Sequence, residues 1–146
     1  MLELQIQQII IGHSSAPEWQ HVCMLVDSKE DKKDLWLIYE LCEGKTLNEL
    51  CFDVKGEFYK GERIYMVHHS GFYHRIRNDL ALLRQFIGMM ADALSLFAKL
   101  SIVHADLKPD NVIVDYDSET NQIKALKIID LGSAFLLNPE GTVVES

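Results

Sequence analysis

The stretch His104-Ala-Asp-Leu-Lys-Pro-Asp-Asn111 follows directly on a long amphipathic segment, and nineteen residues after Asn111 an apolar run ends in Asp130-Leu-Gly132. That succession constrains the fold more than any other feature of the chain. The segment before it sets Leu83, Phe86/Ile87, Met90, Ala93/Leu94, Phe97 and Leu100 at i, i+3, i+4, i+7 spacing, which predicts a helix over 80–100 with a wide buried stripe and Asn78 or Asp79 as its N-cap. After it, Val112 to Val114 and Ala125 to Ile129 are strand-forming runs joined by the polar stretch Asp115 to Gln122. Helix, polar loop, hairpin and an apolar-Asp-x-Gly turn are therefore expected in that order.

Upstream, Leu2, Ile6, Ile9 and Ile10 share one helical face before Gly12 and Pro17 punctuate the chain. Val22 to Val26 and Leu35 to Glu40 read as a hairpin across the charged turn Asp27 to Asp34. Gly44 breaks the second strand, and Thr46-Leu-Asn-Glu49 has capping-box spacing, so a short helix is predicted there. Residues 53–76, with three glycines and many charges, read as a loop-like insertion, and 137–146 as an irregular tail.

Apolar residues make up 48% of the 146 and charged ones 25%, a globular composition. A net charge of −8 argues against general affinity for nucleic acid or anionic lipid, both of which need a basic surface. The N-terminus lacks the basic region of a signal peptide. Asp92 and Lys99 interrupt the apolar Phe86 to Leu100 stretch, so no membrane span is expected, and the chain is placed inside the cell, in cytoplasm or nucleus. Cys23, Cys42 and Cys51 have unrelated spacings and no C-x-x-C pair, and read as reduced, mostly buried thiols. Asp115-x-Asp117-x-Glu119 imitates a calcium loop, but Thr120 and Leu126 stand where glycine and a bidentate glutamate are required. His68, His69 and His74 lack accompanying carboxylates or thiols and make a poor metal site.

Taken singly, Asp106 reads as a turn residue, Lys108 as a surface charge, Pro109 as a loop stiffener and Asn111 as a cap. Jointly, H-x-D-L-K-P-x-N after an amphipathic helix, followed by a hairpin ending in apolar-Asp-x-Gly, resembles the centre of a eukaryotic serine/threonine protein kinase domain. Residues from about Glu3 to Ser146 look like the middle of that domain. The resemblance implies an α+β, bilobal kinase-like fold, truncated to an incomplete small lobe and the front part of a helical large lobe. Residues 1–40 would end the small lobe, 41–45 form the hinge, and 46–146 begin the large lobe with an insertion at about 53–76.

The resemblance further implies transfer of the γ-phosphate of ATP to protein hydroxyls. Asp106 would orient the hydroxyl and take its proton, Lys108 would reach the γ-phosphate, and Asn111 and Asp130 would hold Mg2+. Tyr39 takes the place of the gatekeeper, Glu40 to Cys42 would present backbone groups to the adenine, and Thr46 would approach the ribose. Val112 and Ile113 would pack beneath the base and Ile129 would line the pocket, while His104 and Leu131 would stack in the column that fixes the Asp-x-Gly turn. Lys108-Pro109 is the serine/threonine form of the loop. The wording of the loop and of Gly132-Ser-Ala resembles the pre-mRNA-processing and dual-specificity branch.

The chain departs from the family pattern in several places. Ala105 replaces the loop arginine that grips an activation-loop phosphate in many kinases, and Leu131 replaces the usual phenylalanine. Glu3 is the candidate for the helix glutamate, although Gln7 then falls where the family has an apolar residue. No Gly-rich loop or Val-Ala-x-Lys strand precedes Met1 and no Ala-Pro-Glu follows Ser146, so the 146 residues alone are expected to be inactive. The apolar face of the 80–100 helix is expected to need a covering partner. The competing reading is a degenerate kinase serving as a binding or scaffolding module, and a small-molecule phosphotransferase is disfavoured by Lys108-Pro109.

Overall fold

The N-terminal spacing forms α1 (Leu2–Gly12), which buries Ile6 and Ile10 together with Gln7. The computed structural model describes residues 2–13 and 15–138, so the expected irregular tail lies, from residue 139 onward, outside the described residues. A 3-10 turn at Pro17–His21 leads to the antiparallel pair β1 (Leu25–Glu30) and β2 (Leu35–Tyr39). The first strand runs further into the charged stretch than expected, because the turn needs only Asp31 to Asp34, where Asp31 Oδ1 accepts the amides of Lys33 and Asp34.

A second, three-stranded sheet has the order β3 (Lys45–Thr46), β7 (Val112–Asp117), β8 (Gln122–Ile128), all antiparallel. It is tied to the first hairpin by the parallel bridge Val22 to Ile128. Between β3 and β7 come α2 (Leu47–Cys51), β4 (Phe52–Tyr59), β5 (Glu62–His69), α3 (Gly71–Asn78), α4 (Leu80–Lys99) and β6 (Ile102–Val103). Beyond β8, β9 (Phe135–Leu136) pairs with β6. The capping box is formed as predicted: Thr46 accepts the Glu49 amide and Glu49 accepts the Thr46 amide. Asp79 caps α4 by accepting from the amides of Ala81 and Leu82.

Two corrections follow from packing. The segment 53–76, expected as loop-like, is instead the eight-residue strands β4 and β5 followed by most of α3. Its turn is Lys60-Gly61, both at positive φ (49° and 81°), the two-residue geometry that matches strand twist. Every strand position after Phe52 is exposed, so neither face shows the apolar alternation that would have betrayed it. The second correction concerns the rotation of α4. Its fully buried positions are Leu82, Ala93, Leu96 and Phe97, whereas Ile87 and Leu94, placed on the buried stripe by spacing, are 56% and 43% exposed. A helix apolar on nearly all sides does not declare from periodicity alone which side is covered.

By length and composition α4 also reaches the range of a membrane-crossing helix, contrary to the sequence expectation. One side of it packs into the protein. Ala93, Leu96 and Phe97 join Ile6, Ile10, Val22, Ile128 and Leu131 in one cluster. Leu82 joins Phe72, Val112, Val114, Ile123 and Leu126 in another.

Candidate active site

His104, only 5% exposed, organises the loop between β6 and β7. The Asp106 amide donates to His104 Nδ1 at 3.2 Å, so that nitrogen is the acceptor. Nε2 lies 2.9 Å from the Ile129 carbonyl, which can only accept, so the ring proton sits on Nε2. One imidazole thus ties Asp106 to the residue preceding Asp130. The Ile129 amide completes the tie by donating to the Asn111 carbonyl at 3.0 Å. Ala105 and Asp130 are both held in the left-handed region, at φ 64° and 62°. For non-glycine residues such conformations cost roughly 1–3 kcal/mol each, and they persist where surrounding bonds over-determine them.

Asp106 Oδ2 receives Lys108 Nζ at 3.0 Å and Asn111 Nδ2 at 3.2 Å. The same Asn111 nitrogen donates to the Asp106 carbonyl at 2.8 Å, which leaves the amide oxygen of this buried residue for another partner. The Lys108 hydrogen bond, outweighing desolvation and aided by Asn111, holds the Asp106 carboxyl below the usual aspartate range. Reciprocally, Asp106 raises the Lys108 ammonium. Asp106 is therefore a carboxylate at neutral pH, partly open to solvent, with a cation two residues away.

Beside this loop lies a cavity of about 430 Å³ whose walls include Tyr39, Glu40, Cys42, Ile113, Ile129 and Asp130. Strand alternation decides which β7 residues reach it. Ile113 faces the cavity, while Val112, expected beneath the base as well, points to the opposite face and is buried against Leu82 and Leu126. Thr46 is not part of the wall; its hydroxyl is spent on the α2 cap, and it stands across the ladder from Ile113. Leu131 is 1% exposed within the core cluster beneath the turn.

The α1 residues complete the wall. Glu3 Oε1 accepts a hydrogen bond from the Tyr39 hydroxyl, and burial followed by this carboxylate pushes the phenol well above its ordinary range. Gln7 stands where an apolar residue was expected, yet it is 2% exposed and satisfied: Nε2 donates to the Cys23 carbonyl at 3.4 Å and Oε1 accepts the Leu25 amide at 3.3 Å. It pins α1 to the start of β1. In the sequence, an amide set between Ile6 and the Ile9-Ile10 pair, one turn after Glu3, is the available signal. A Cβ at Gly132 would sit 3.1 Å from Asp130 Oδ1, so the carboxylate would have to give by a few tenths of an ångström. Gly44, at φ 105°, is required more strongly, because its Cβ would meet the Val114 carbonyl oxygen at 2.3 Å.

The remaining candidates are structural. Asp117 Oδ1 accepts the Glu119 and Thr120 amides in the β7–β8 turn. His69 stacks on Tyr73 with ring centroids 3.9 Å apart, and His74 meets the same ring edge-on.

The chain is similar to known protein kinases. The chain is 29% identical over 119 residues to sperm motility kinase 2A of Mus musculus, covering 82% of this chain and 18% of the relative. To serine/threonine-protein kinase MRCK beta of Homo sapiens it is 35% identical over 77 residues, 53% of this chain and 4% of the relative. To CDPK-related kinase 5 of Arabidopsis thaliana it is 25% identical over 139 residues, 94% of this chain and 18% of the relative. The chain thus spans less than a fifth of the length of each. The profile of the protein kinase domain matches residues 7–146, and the chain belongs to the protein kinase domain family, in its serine/threonine lineage.

Proposed function

We propose that the protein transfers the γ-phosphoryl group of ATP to a serine or threonine hydroxyl of a protein substrate, with 1–40 serving as the end of a small lobe, 41–45 as the hinge and 46–146 as the start of a large lobe. The observation that carries this reading is the Asp106–Lys108–Asn111 cluster, bonded through His104 and Asn111 to the strand end that presents Asp130. Glu40 and Cys42 offer backbone groups to the adenine, and Ile113 and Ile129 supply the apolar floor. Asp106 orients the substrate hydroxyl and accepts its proton as the hydroxyl oxygen bonds to the γ-phosphorus and the bond to the β-phosphate oxygen breaks, releasing ADP. Lys108 steadies the γ-phosphate as a point charge.

The donor set fits Mg2+: an amide oxygen from Asn111, whose nitrogen is already committed, and the Asp130 carboxylate are hard ligands. When bound, Mg2+ neutralises phosphate charge. The protein is read as acting inside the cell, where ATP is supplied. The exposed face at Leu80, Ile87 and Leu94 favours a protein partner that covers it, which is also what a pure scaffolding module would present. The discriminating experiment follows phosphate transfer from labelled ATP by the intact protein, with phosphoamino-acid analysis. Phosphoserine or phosphothreonine that disappears in Asp106→Asn supports the kinase reading. Transfer that persists at the wild-type rate in that variant, or no transfer together with no Mg-ATP binding, overturns it.

A further inference from the structure

Three potential ligands converge at the β2 end of the cavity. Cys23 precedes β1, Glu40 follows β2, and Cys42 lies two residues further on; one ligand atom from each falls within 4.8 Å of the other two. Among the described residues this is the one place where three cysteine, histidine or carboxylate side chains come so close. We propose that Cys23, Cys42 and Glu40 form a binding site for a soft divalent cation, Zn2+ being the biological representative, whose occupancy excludes nucleotide from the cavity.

The arrangement is built by the backbone rather than by chance approach of surface groups. The Glu40 amide donates to the Met24 carbonyl at 3.0 Å, the Met24 amide donates to Glu40 Oε1 at 3.0 Å, and Cys23 Sγ lies 3.7 Å from the Glu40 carbonyl. Leu25 and Tyr39 then open the β1–β2 ladder. These contacts hold Cys23 and Glu40 near metal-binding separation before any metal arrives, with Cys42 two residues along the chain from Glu40. Tetrahedral Zn2+ with Zn–S bonds of ~2.3 Å sets its ligand atoms roughly 3.3–3.8 Å apart, so the cluster needs to close by at most about 1–1.5 Å.

The donor types select the ion. Two thiolates favour Zn2+, Cd2+ or Cu+ and disfavour Mg2+, which separates this site from the hard oxygen pair at Asn111 and Asp130. Each thiol releases its proton to solvent as it binds. Lys127 Nζ lies 2.6 Å from Glu40 Oε1, so the metal takes the other carboxylate oxygen. The two thiolates and the carboxylate are then balanced by the metal's double charge and the single charge of Lys127. All three ligands line the cavity, which leaves the fourth tetrahedral position facing it. The exclusion of nucleotide rests on the kinase reading above, because it assigns the Glu40–Cys42 edge to adenine; the metal site itself does not.

The experiment titrates the intact, nucleotide-free protein with Cd2+, following thiolate-to-metal charge-transfer absorption, and measures Zn2+ affinity by competition with a chromophoric chelator. One equivalent should saturate the absorption. Cys42→Ser and Cys23→Ala should each weaken Zn2+ by roughly tenfold or more, at least the loss seen when a mere outer-shell partner is removed. Cys51→Ser, in α2, should leave the titration unchanged. If Cys23→Ala fails to fold, the half-buried Cys42→Ser decides alone. Absence of the band at stoichiometric Cd2+, or equal weakening by Cys51→Ser, overturns the site. A Zn2+ load just sufficient to saturate wild type should then weaken binding of a non-hydrolysable ATP analogue at least tenfold in wild type and far less in Cys23→Ala, each protein being compared with its own zinc-free affinity. An analogue that binds zinc-loaded wild type undiminished overturns the exclusion, whereas one that never binds refutes the kinase reading and leaves the metal titration standing.

Discussion

Replacing His104 with phenylalanine keeps a ring of similar shape beside Phe97, whose centroid lies 6.1 Å away, and removes both ring nitrogens. The Asp106 amide loses its acceptor and the Ile129 carbonyl loses its donor. A buried polar group left unpaired costs about 1–3 kcal/mol, and since both residues are only partly buried the lower half applies, about 1–2 kcal/mol each. Relaxation of Ala105 and Asp130 out of their left-handed conformations returns part of that, so the net loss should be roughly 2 kcal/mol, or about 4–8 °C in Tm at this chain size. Nucleotide binding should suffer out of proportion, because the same relaxation moves Asp106 and Asp130 apart. Urea denaturation gives the first quantity and calorimetric titration with a Mg-ATP analogue the second. A His104→Phe protein within about 0.5 kcal/mol of wild type, or one destabilised with unchanged analogue affinity, would refute the claim that this imidazole assembles the site.

Val112→Ala and Ile113→Ala should separate stability from binding: the first loses about 2 kcal/mol with little change in nucleotide affinity, the second weakens nucleotide binding and is gentler on the urea midpoint. Gly44→Ala should cost roughly 3 kcal/mol or more, since both the positive φ and the Val114 carbonyl oppose a Cβ; a melting temperature like that of wild type would contradict this. Asp79→Ala should cost about 1 kcal/mol through the lost α4 cap, measurable by denaturant titration. For pH, the depressed Asp106 carboxyl stays ionised until the pH falls through its lowered folded value, so the acidic limb of kcat/KM should lie below the ordinary aspartate range and move upward in Lys108→Met; an unmoved limb would show that Lys108 does not set it.

The sequence declared those features whose chemistry is local. Thr46 and Glu49 need only each other to form a capping box, Asp79 needs only the next turn of α4, and His104 to Asn111 is a loop whose members bond within five residues. What stayed hidden depended on distant partners. The β4–β5 hairpin is exposed on both faces, so no buried alternation marked it, and only Lys60-Gly61 hinted at its turn. The rotation of α4 depends on which of its many apolar sides meets α1 and the β7–β8 sheet. Val112 and Ile113 are adjacent and chemically alike, and strand alternation alone sends one to the core and the other to the cavity. Cys23 and Cys42 share no motif spacing; the β1–β2 pairing brings them together.

The most direct test of the central claim is the Mg2+ dependence of nucleotide binding at this cavity, measured calorimetrically with a non-hydrolysable ATP analogue on wild type and Asp130→Asn. The kinase reading predicts analogue binding that strengthens on adding Mg2+ in wild type, and an Asp130→Asn protein that retains weak analogue binding but loses the strengthening. Binding that is indifferent to both Mg2+ and the Asp130 carboxylate, or no binding to a correctly folded wild-type protein, would contradict it.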